Sequence, residues 1–261
     1  RRGDHEYAAG RFRAALASYE TALLLCRSAP DPAREADLVR AAGRMHYLLG
    51  RPVESQRTYE DAIARYTSLV KDARAGGDMP RLNAALRELG KLHFFKGDME
   101  DSESCLREAI QLAESRGDEA LHAAALNNLS GVHYVRGELE KALACHRTAI
   151  SIRERLRDEP GLAQSNKNIG ILHYRMGELE EAADHLEEAL TLFRKAGDRR
   201  GESVTLRHLG NLHYQGGDHA GAHEFSDVVP AERCEPILLA RIQLGRDPLG
   251  RPGGSSIQEY L

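Results

Sequence analysis

His133-Tyr134-Val135-Arg136-Gly137 is one of five copies of a His-aromatic-x-x-Gly stretch in a chain of 261 residues. The others are His46-Tyr47-Leu48-Leu49-Gly50, His93-Phe94-Phe95-Lys96-Gly97, His173-Tyr174-Arg175-Met176-Gly177 and His213-Tyr214-Gln215-Gly216-Gly217. A degenerate copy, Glu6-Tyr7-Ala8-Ala9-Gly10, stands near the start. The glycines at 10, 50, 97, 137, 177 and 217 are therefore 40, 47, 40, 40 and 40 residues apart. A fixed period of this size marks a solenoid, in which each repeat buries its apolar face against its neighbours.

Each repeat reads as two helices. In the fourth, Ala124, Ala125, Leu126, Leu129, Val132 and His133 recur at helical spacing before Gly137 breaks the pattern. Glu138 to Arg155 then gives a second helix with a stripe at Leu139, Ala142, Leu143, His146, Ala149, Ile150 and Ile152. Between repeats, Asp78, Asp118, Asp158 and Asp198 recur as N-caps whose carboxylates accept a free backbone N–H, and Asp31 followed by Pro32 fits the same role. Asp31 to Asp78 spans 47 residues and Asp78 to Asp118 spans 40, so the seven extra residues lie between Gly50 and Asp78. They amount to about two helical turns and predict a longer second helix there, ending near Ala75-Gly76-Gly77. Small residues at Gly3, Gly43, Gly90, Ser130, Gly170 and Gly210, and at Ala15, Ser55, Ser102, Ala142 and Ala182, suit close approach of the two helices.

With Ile169, Gly170, His173, Gly177, Ala182, Leu186 and Ala189 in place in its fifth repeat, the sequence resembles the tetratricopeptide repeat family. The resemblance covers about residues 1–226. It implies an all-α, right-handed α-solenoid of about six helix-turn-helix repeats, the first and last incomplete. Two departures are consistent. Histidine replaces the family's mid-helix aromatic in five repeats, and the period is 40 with no proline ending the second helix. These features are similar to a longer-helix subclass found in polarity scaffolds, kinesin light chains and bacterial regulators. Residues 227–261, rich in Pro, Gly and Ser, read as a mostly irregular tail, with a possible short capping helix near 236–244.

Composition narrows the function classes. A net charge of -4 is too mild to predict a nucleic-acid or membrane partner by itself. No apolar run reaches the length of a membrane span, and no leader is visible. Cys26, Cys105, Cys145 and Cys234 lack C-x-x-C spacing and read as reduced thiols of a cytoplasmic protein. The start at Arg1-Arg2 reads as a piece of a longer chain. No phosphate loop, nucleophile elbow or Cys–His signature is present, so no catalytic residue and no cofactor is expected. The histidine row is not expected to bind metal. Equivalent positions in successive repeats lie about 10 Å apart, whereas zinc ligands sit about 2 Å from one ion. The histidines are expected to pack inside their own repeats.

In the family, the first helix of each repeat lines a concave groove. The slots that the resemblance assigns to it hold Arg40, Arg44 and Tyr47; Arg87, Glu88, Lys91 and Phe94; Asn127, Asn128 and Tyr134; Lys167, Asn168, Tyr174 and Arg175; and Arg207, His208, Asn211 and Tyr214. Among Arg, Lys, Asp and Glu these slots hold seven bases and one acid, Glu88. Asn can pair with a peptide backbone in both directions, Arg can hold carboxylates, and Tyr supplies contact area. The expectation is a non-enzymatic scaffold or adaptor binding a partner peptide with acidic residues, with no membrane and no nucleic acid, and with the oligomeric state open. The alternative is a sensor or autoinhibitory region of a larger bacterial signalling or transcription regulator.

Overall fold

A computed structural model describes residues 2–26 and 31–216. Among these residues are eleven helices and no strand. They are α1 (Arg2–Ala8), α2 (Phe12–Cys26), α3 (Pro32–Leu48), α4 (Pro52–Ala75), α5 (Met79–Lys96), α6 (Met99–Arg116), α7 (Glu119–Val135), α8 (Leu139–Leu156), α9 (Glu159–Met176), α10 (Leu179–Ala196) and α11 (Arg199–Gln215). The tail expected at 227–261, the second helix of the sixth repeat and Cys234 lie outside the described residues.

The predicted punctuation is present. Asp31, Asp78, Asp118 and Asp158 each accept the backbone N–H three residues on, at Arg34, Arg81, Leu121 and Gly161, at 3.0–3.1 Å. Asp198 accepts from both Arg200 and Gly201. Each cap satisfies a donor that the first helical turn leaves open. At the other end, Gly97 closes α5 in the left-handed region at φ +98, its N–H donating to His93 O. Arg157 takes the same left-handed conformation at φ 54, where the matching turns have Gly77, Gly117 and Gly197. The predicted long helix is α4, with 24 residues against 18 in α6, α8 and α10. It ends at Ala75, and its extra turns bury Leu69, Val70 and Ala73.

Inter-residue contacts divide the chain into two bodies, with the division inside α6 between Leu112 and Ala113. In the N-terminal body, α2 packs on α3, α3 on α4 and α4 on α5. Its core includes Ala15, Leu16, Tyr19, Ala42, Met45 and Leu48, packed with Phe12, Tyr7 and Tyr47. In the C-terminal body each helix from α7 to α11 packs on the next. One cluster there joins Tyr134, Ala142, Leu143, Ile169, Ile171 and Leu172, and a second joins Ala182, Leu186, Leu190, Leu206, Leu209 and Leu212.

The small-residue slots explain how closely the paired helices approach. A Cβ on Gly90 would lie 2.7 Å from Leu106 Cγ, and one on Gly170 would lie 2.6 Å from Leu186 Cγ. Ser55 and Ser102 are buried and donate to the carbonyls of Gly43 and Gly90, at 3.0 and 2.7 Å. The first and second helices of these repeats are thus joined both by close packing and by a side-chain hydrogen bond onto the glycine carbonyl.

Candidate functional site

In the N-terminal body the first-helix face is carried by α3 and α5. Arg40, Arg44, Tyr47, Arg87 and Lys91 are all half-buried. Their charges are not all free. Glu88, on α5, lies 2.5 Å from Lys91 Nζ and 3.1 Å from Arg40 Nε, and Arg40 Nη2 lies 3.7 Å from Asp37. Burial pushes the Glu88 carboxyl up, but Lys91 and Arg40 outweigh it and hold the pKa below the usual carboxylate range. Burial pushes the Lys91 ammonium down, against the pull of Glu88. Arg44 lies over the Tyr7 ring, 4.9 Å from its centroid. The buried Nε atoms of Arg44 and Arg87 have no hydrogen-bond partner.

Phe94 corrects an expectation. It is 2% exposed, not turned outward. Its ring meets Phe95 edge-on at 5.8 Å, and Phe95 stacks on Tyr59 at 5.9 Å. In this repeat the slot three residues before the glycine faces the packing between helices, where a ring with no polar tip has nothing to gain from water.

In the C-terminal body the slots on α7 and α9 run deeper than expected. Asn127, Lys167 and Asn168 are buried, and Tyr134 is nearly so. Asn168 donates to Asn127 Oδ1 at 3.4 Å and accepts from Gln164 Nε2 at 3.3 Å. These amides join neighbouring first helices and are buried there. Tyr134 is covered by the Arg175 guanidinium, 5.7 Å from its ring centroid. What reaches the surface is Arg175, Asn211 and Tyr214, the last 66% exposed, with Asn128, Tyr174 and Arg207 half-buried. Arg207, Asn211 and Tyr214 follow one another at helical spacing on α11.

The histidine row has a different role from simple packing. Nδ1 of His133 lies 2.6 Å from Glu138, and Nδ1 of His173 lies 2.5 Å from Glu178. His93 approaches Asp98 at 3.4 Å in the same way. In each case the histidine ending the first helix meets the acid that follows the glycine, so the side chains clamp the turn inside the repeat. The acid is unavailable as a cap: Glu138 and Glu178 make no side-chain cap bond. In the first repeat the order is reversed, with the acid Glu6 before the glycine paired to the base Arg11 after it. The spacing could have been read from sequence as a base and an acid five residues apart. His93, Asp98 and Asp101 also bring three potential metal ligands within 4.8 Å of one another. Two of the three belong to this recurring clamp, and Lys96 Nζ already sits 2.9 Å from Asp98.

The buried Arg153 and the half-buried His185 were missed from sequence. Arg153 donates to Gly161 O at 2.7 Å and to Ser165 Oγ at 2.5 Å, tying α8 to α9. His185 stacks on His173 at 5.6 Å and meets Asn166 at 2.9 Å. Burial lowers the pKa of His146 to about 3 and takes that of His208 well below its ordinary value, so both rings are neutral. Cys26, Cys105 and Cys145 form no disulfide, and burial pushes the Cys105 thiol up to about 11. Among the described residues no helix is long and apolar enough to cross a membrane.

The family model of the tetratricopeptide repeat matches residues 81–155, 121–195 and 161–227. Among solved structures, BtubC from P. vanneervenii is similar with a TM-score of 0.59 at 21% identity, over 92% of this chain and 95% of that one. The Rap conjugation gene regulator of plasmid pLS20, in complex with the Phr* peptide, gives 0.62 at 21% identity over 96% and 75%. A Rap protein complexed with competence and sporulation factor gives 0.68 at 17% identity over 93% and 65%, so this chain spans just under two thirds of that one. At these identities the likeness is one of fold. A search of curated proteins finds no match.

Proposed function

The chain belongs to the tetratricopeptide repeat family, and we propose that it is a non-enzymatic interaction scaffold holding a peptide segment of a partner protein on the first-helix faces of its repeats. The observation that carries this reading is the face of α11, where Tyr214 stands 66% exposed on the same helical stripe as Asn211 and Arg207. A large exposed ring flanked by an amide and a guanidinium is the chemistry of a binding hot spot, not of a solvated helix. One Rap structure carries the Phr* peptide and another competence and sporulation factor, and the first of these supports a peptide as the class of ligand. A non-catalytic role is supported by the state of the reactive groups. His146 and His208 are buried and neutral, His133 and His173 are held by turn carboxylates, and the Cys105 thiol stays protonated.

The test is selection of a displayed peptide library on the immobilised full chain, followed by calorimetry on the enriched sequences. Asn211→Ala and Tyr214→Ala change exposed side chains and leave the fold intact. Together they are expected to weaken a selected peptide by about tenfold or more, the range of a hot-spot truncation. Enrichment of no sequence above scrambled controls, or affinity unchanged in the double variant, overturns the reading.

A further inference from the structure

The clamp of the third repeat differs from those of the next two. In the fourth and fifth repeats His133 and His173 close on a glutamate at 2.6 and 2.5 Å. In the third the acid is the shorter Asp98, and His93 Nδ1 stands 3.4 Å from its Oδ2. A second carboxylate completes the turn. Asp101, in the first turn of α6, brings Oδ2 to 3.9 Å from the same ring nitrogen. The fourth repeat has Lys141 in that place, where it pairs with Glu138 at 3.2 Å. The fifth has Glu181 there, yet among the described residues only His93, Asp98 and Asp101 gather three potential metal ligands within 4.8 Å of one another. The distances separate two kinds of contact. A hydrogen bond from a ring nitrogen to a carboxylate is about 2.7–3.2 Å long. Two ligand atoms that each lie about 2.1 Å from one tetrahedral ion are about 3.4 Å apart. The contacts of His93 match the second kind, and those of His133 and His173 are as short as the first. The His93 side chain is 15% exposed and so held in place, whereas Asp101 is 70% exposed and can swing toward it. The two carboxylates already draw one cation. Lys96 Nζ lies 2.9 Å from Asp98, and Lys96 first and then His93 hold the Asp98 carboxyl below the usual range against the effect of burial.

We infer that His93 Nδ1, Asp98 and Asp101 hold a divalent transition-metal ion of the zinc class, which displaces Lys96 and fastens the end of α5 to the start of α6. One imidazole and two carboxylates make a mixed nitrogen and oxygen set. That set suits zinc, whereas magnesium and calcium take oxygen ligands alone. Water fills the remaining position of a four-coordinate ion. The three ligands share one turn, so the separation of about 10 Å that keeps the histidine row from sharing an ion does not bear on them. The inference is independent of the peptide-binding reading, because none of the three residues is among those that carry it.

The experiment adds zinc chloride to the 15N-labelled full chain, with magnesium chloride as the control, and follows the imidazole nitrogen resonances. The chain holds 12 histidines, so one equivalent confined to one ring is the signature that separates a built site from scattered binding. Zinc is expected to saturate at one equivalent, to move the His93 ring while His133 and His173 stay still, and to raise the melting temperature. Magnesium is expected to do none of these. Asp101→Asn changes an exposed side chain and is expected to leave the melting temperature without zinc unchanged. It is expected to weaken zinc about tenfold or more, at least the cost of losing an outer-shell partner. Lys96→Gln removes the competing ammonium and is expected to tighten zinc by up to about fivefold, the most that an exposed ion pair is worth. Zinc that moves several rings alike, an affinity unchanged in Asp101→Asn, or weaker binding by Lys96→Gln overturns the site and leaves an adventitious ion only.

Discussion

Ser130 and His146 occupy the slots that hold Gly90 and Leu106 in the third repeat and Gly170 and Leu186 in the fifth. In those repeats a bare glycine lets a leucine close on the helix backbone. In the fourth, Ser130 Oγ lies 2.7 Å from Asn127 O and 2.8 Å from His146 Nε2. With its proton on the carbonyl, the hydroxyl accepts from Nε2–H, which fixes the tautomer of a fully buried ring. The exchange of Gly for Ser and of Leu for His is therefore one change made at two positions. Ser130→Gly alone removes the partner of a buried N–H and is expected to cost about 1–3 kcal/mol. Ser130→Gly combined with His146→Leu recreates the packing of the neighbouring repeats and is expected to recover most of that loss. A double-mutant cycle by urea denaturation measures the coupling. Additive single effects would show that the two side chains act independently.

Turns are where the sequence is legible at the scale of elements, and where it was read incompletely. The aspartates between repeats stand out because a helix start needs an acceptor for its open N–H groups, a requirement local enough to appear as a fixed residue at a fixed spacing. The clamp of the third, fourth and fifth repeats joins a histidine at the end of the first helix to an acid just before the second, so the histidine seen alone resembles a packing residue. The second repeat tests the idea. There His46 is followed by Arg51, which has the wrong charge, and His46 Nδ1 is buried without a partner. Arg51→Glu places a carboxylate where Glu138 and Glu178 stand in their repeats. It is expected to raise stability by about 0.2–1 kcal/mol, the usual worth of a partly exposed ion pair. Thermal unfolding of Arg51→Glu against Arg51→Gln separates the new contact from loss of the arginine, and equal melting temperatures would dispose of the clamp as a stabilising device. The long α4 was legible for a simpler reason, since two repeat marks on either side of it disagree with the period by the same seven residues.

At the scale of the whole molecule, repeat register gave the charge sign of the first-helix faces but not which charges are already matched. Arg40 and Glu88 belong to different helices, and Arg175 lies over Tyr134 of the preceding repeat. No count along one helix brings those residues together. Depth was equally hidden, because the slots filled by Asn127 and Asn168 lie where neighbouring first helices meet. The same burial sets the pH response of the whole chain. His146 has its pKa lowered to about 3 by burial and then by Arg153, and burial also lowers His185 and His208. An unfolded histidine takes up its proton near pH 6.5, whereas these rings stay neutral in the fold to lower pH. The unfolded state therefore binds more protons below about 6.5, so stability is full above that value and falls as pH drops toward the folded pKa values. Glu88, with burial overcome by Lys91 and Arg40, and Glu138, lowered by the His133 hydrogen bond, add a second decline below about pH 4.5 as their carboxylates protonate. On the alkaline side Tyr59 is raised to about 12 by burial, so its contribution is lost only above about pH 10, where the unfolded phenol ionises. Urea midpoints from pH 9 to pH 4 are expected to hold level to about 7 and then decline from about 6.5, well before carboxylates titrate. Ser130→Gly/His146→Leu is expected to flatten part of that first decline and leave the second unchanged. A wild-type midpoint that stayed constant between pH 7 and pH 5 would mean that these histidines take up protons as readily in the folded chain as in the unfolded one, and that the interior around them is open to water.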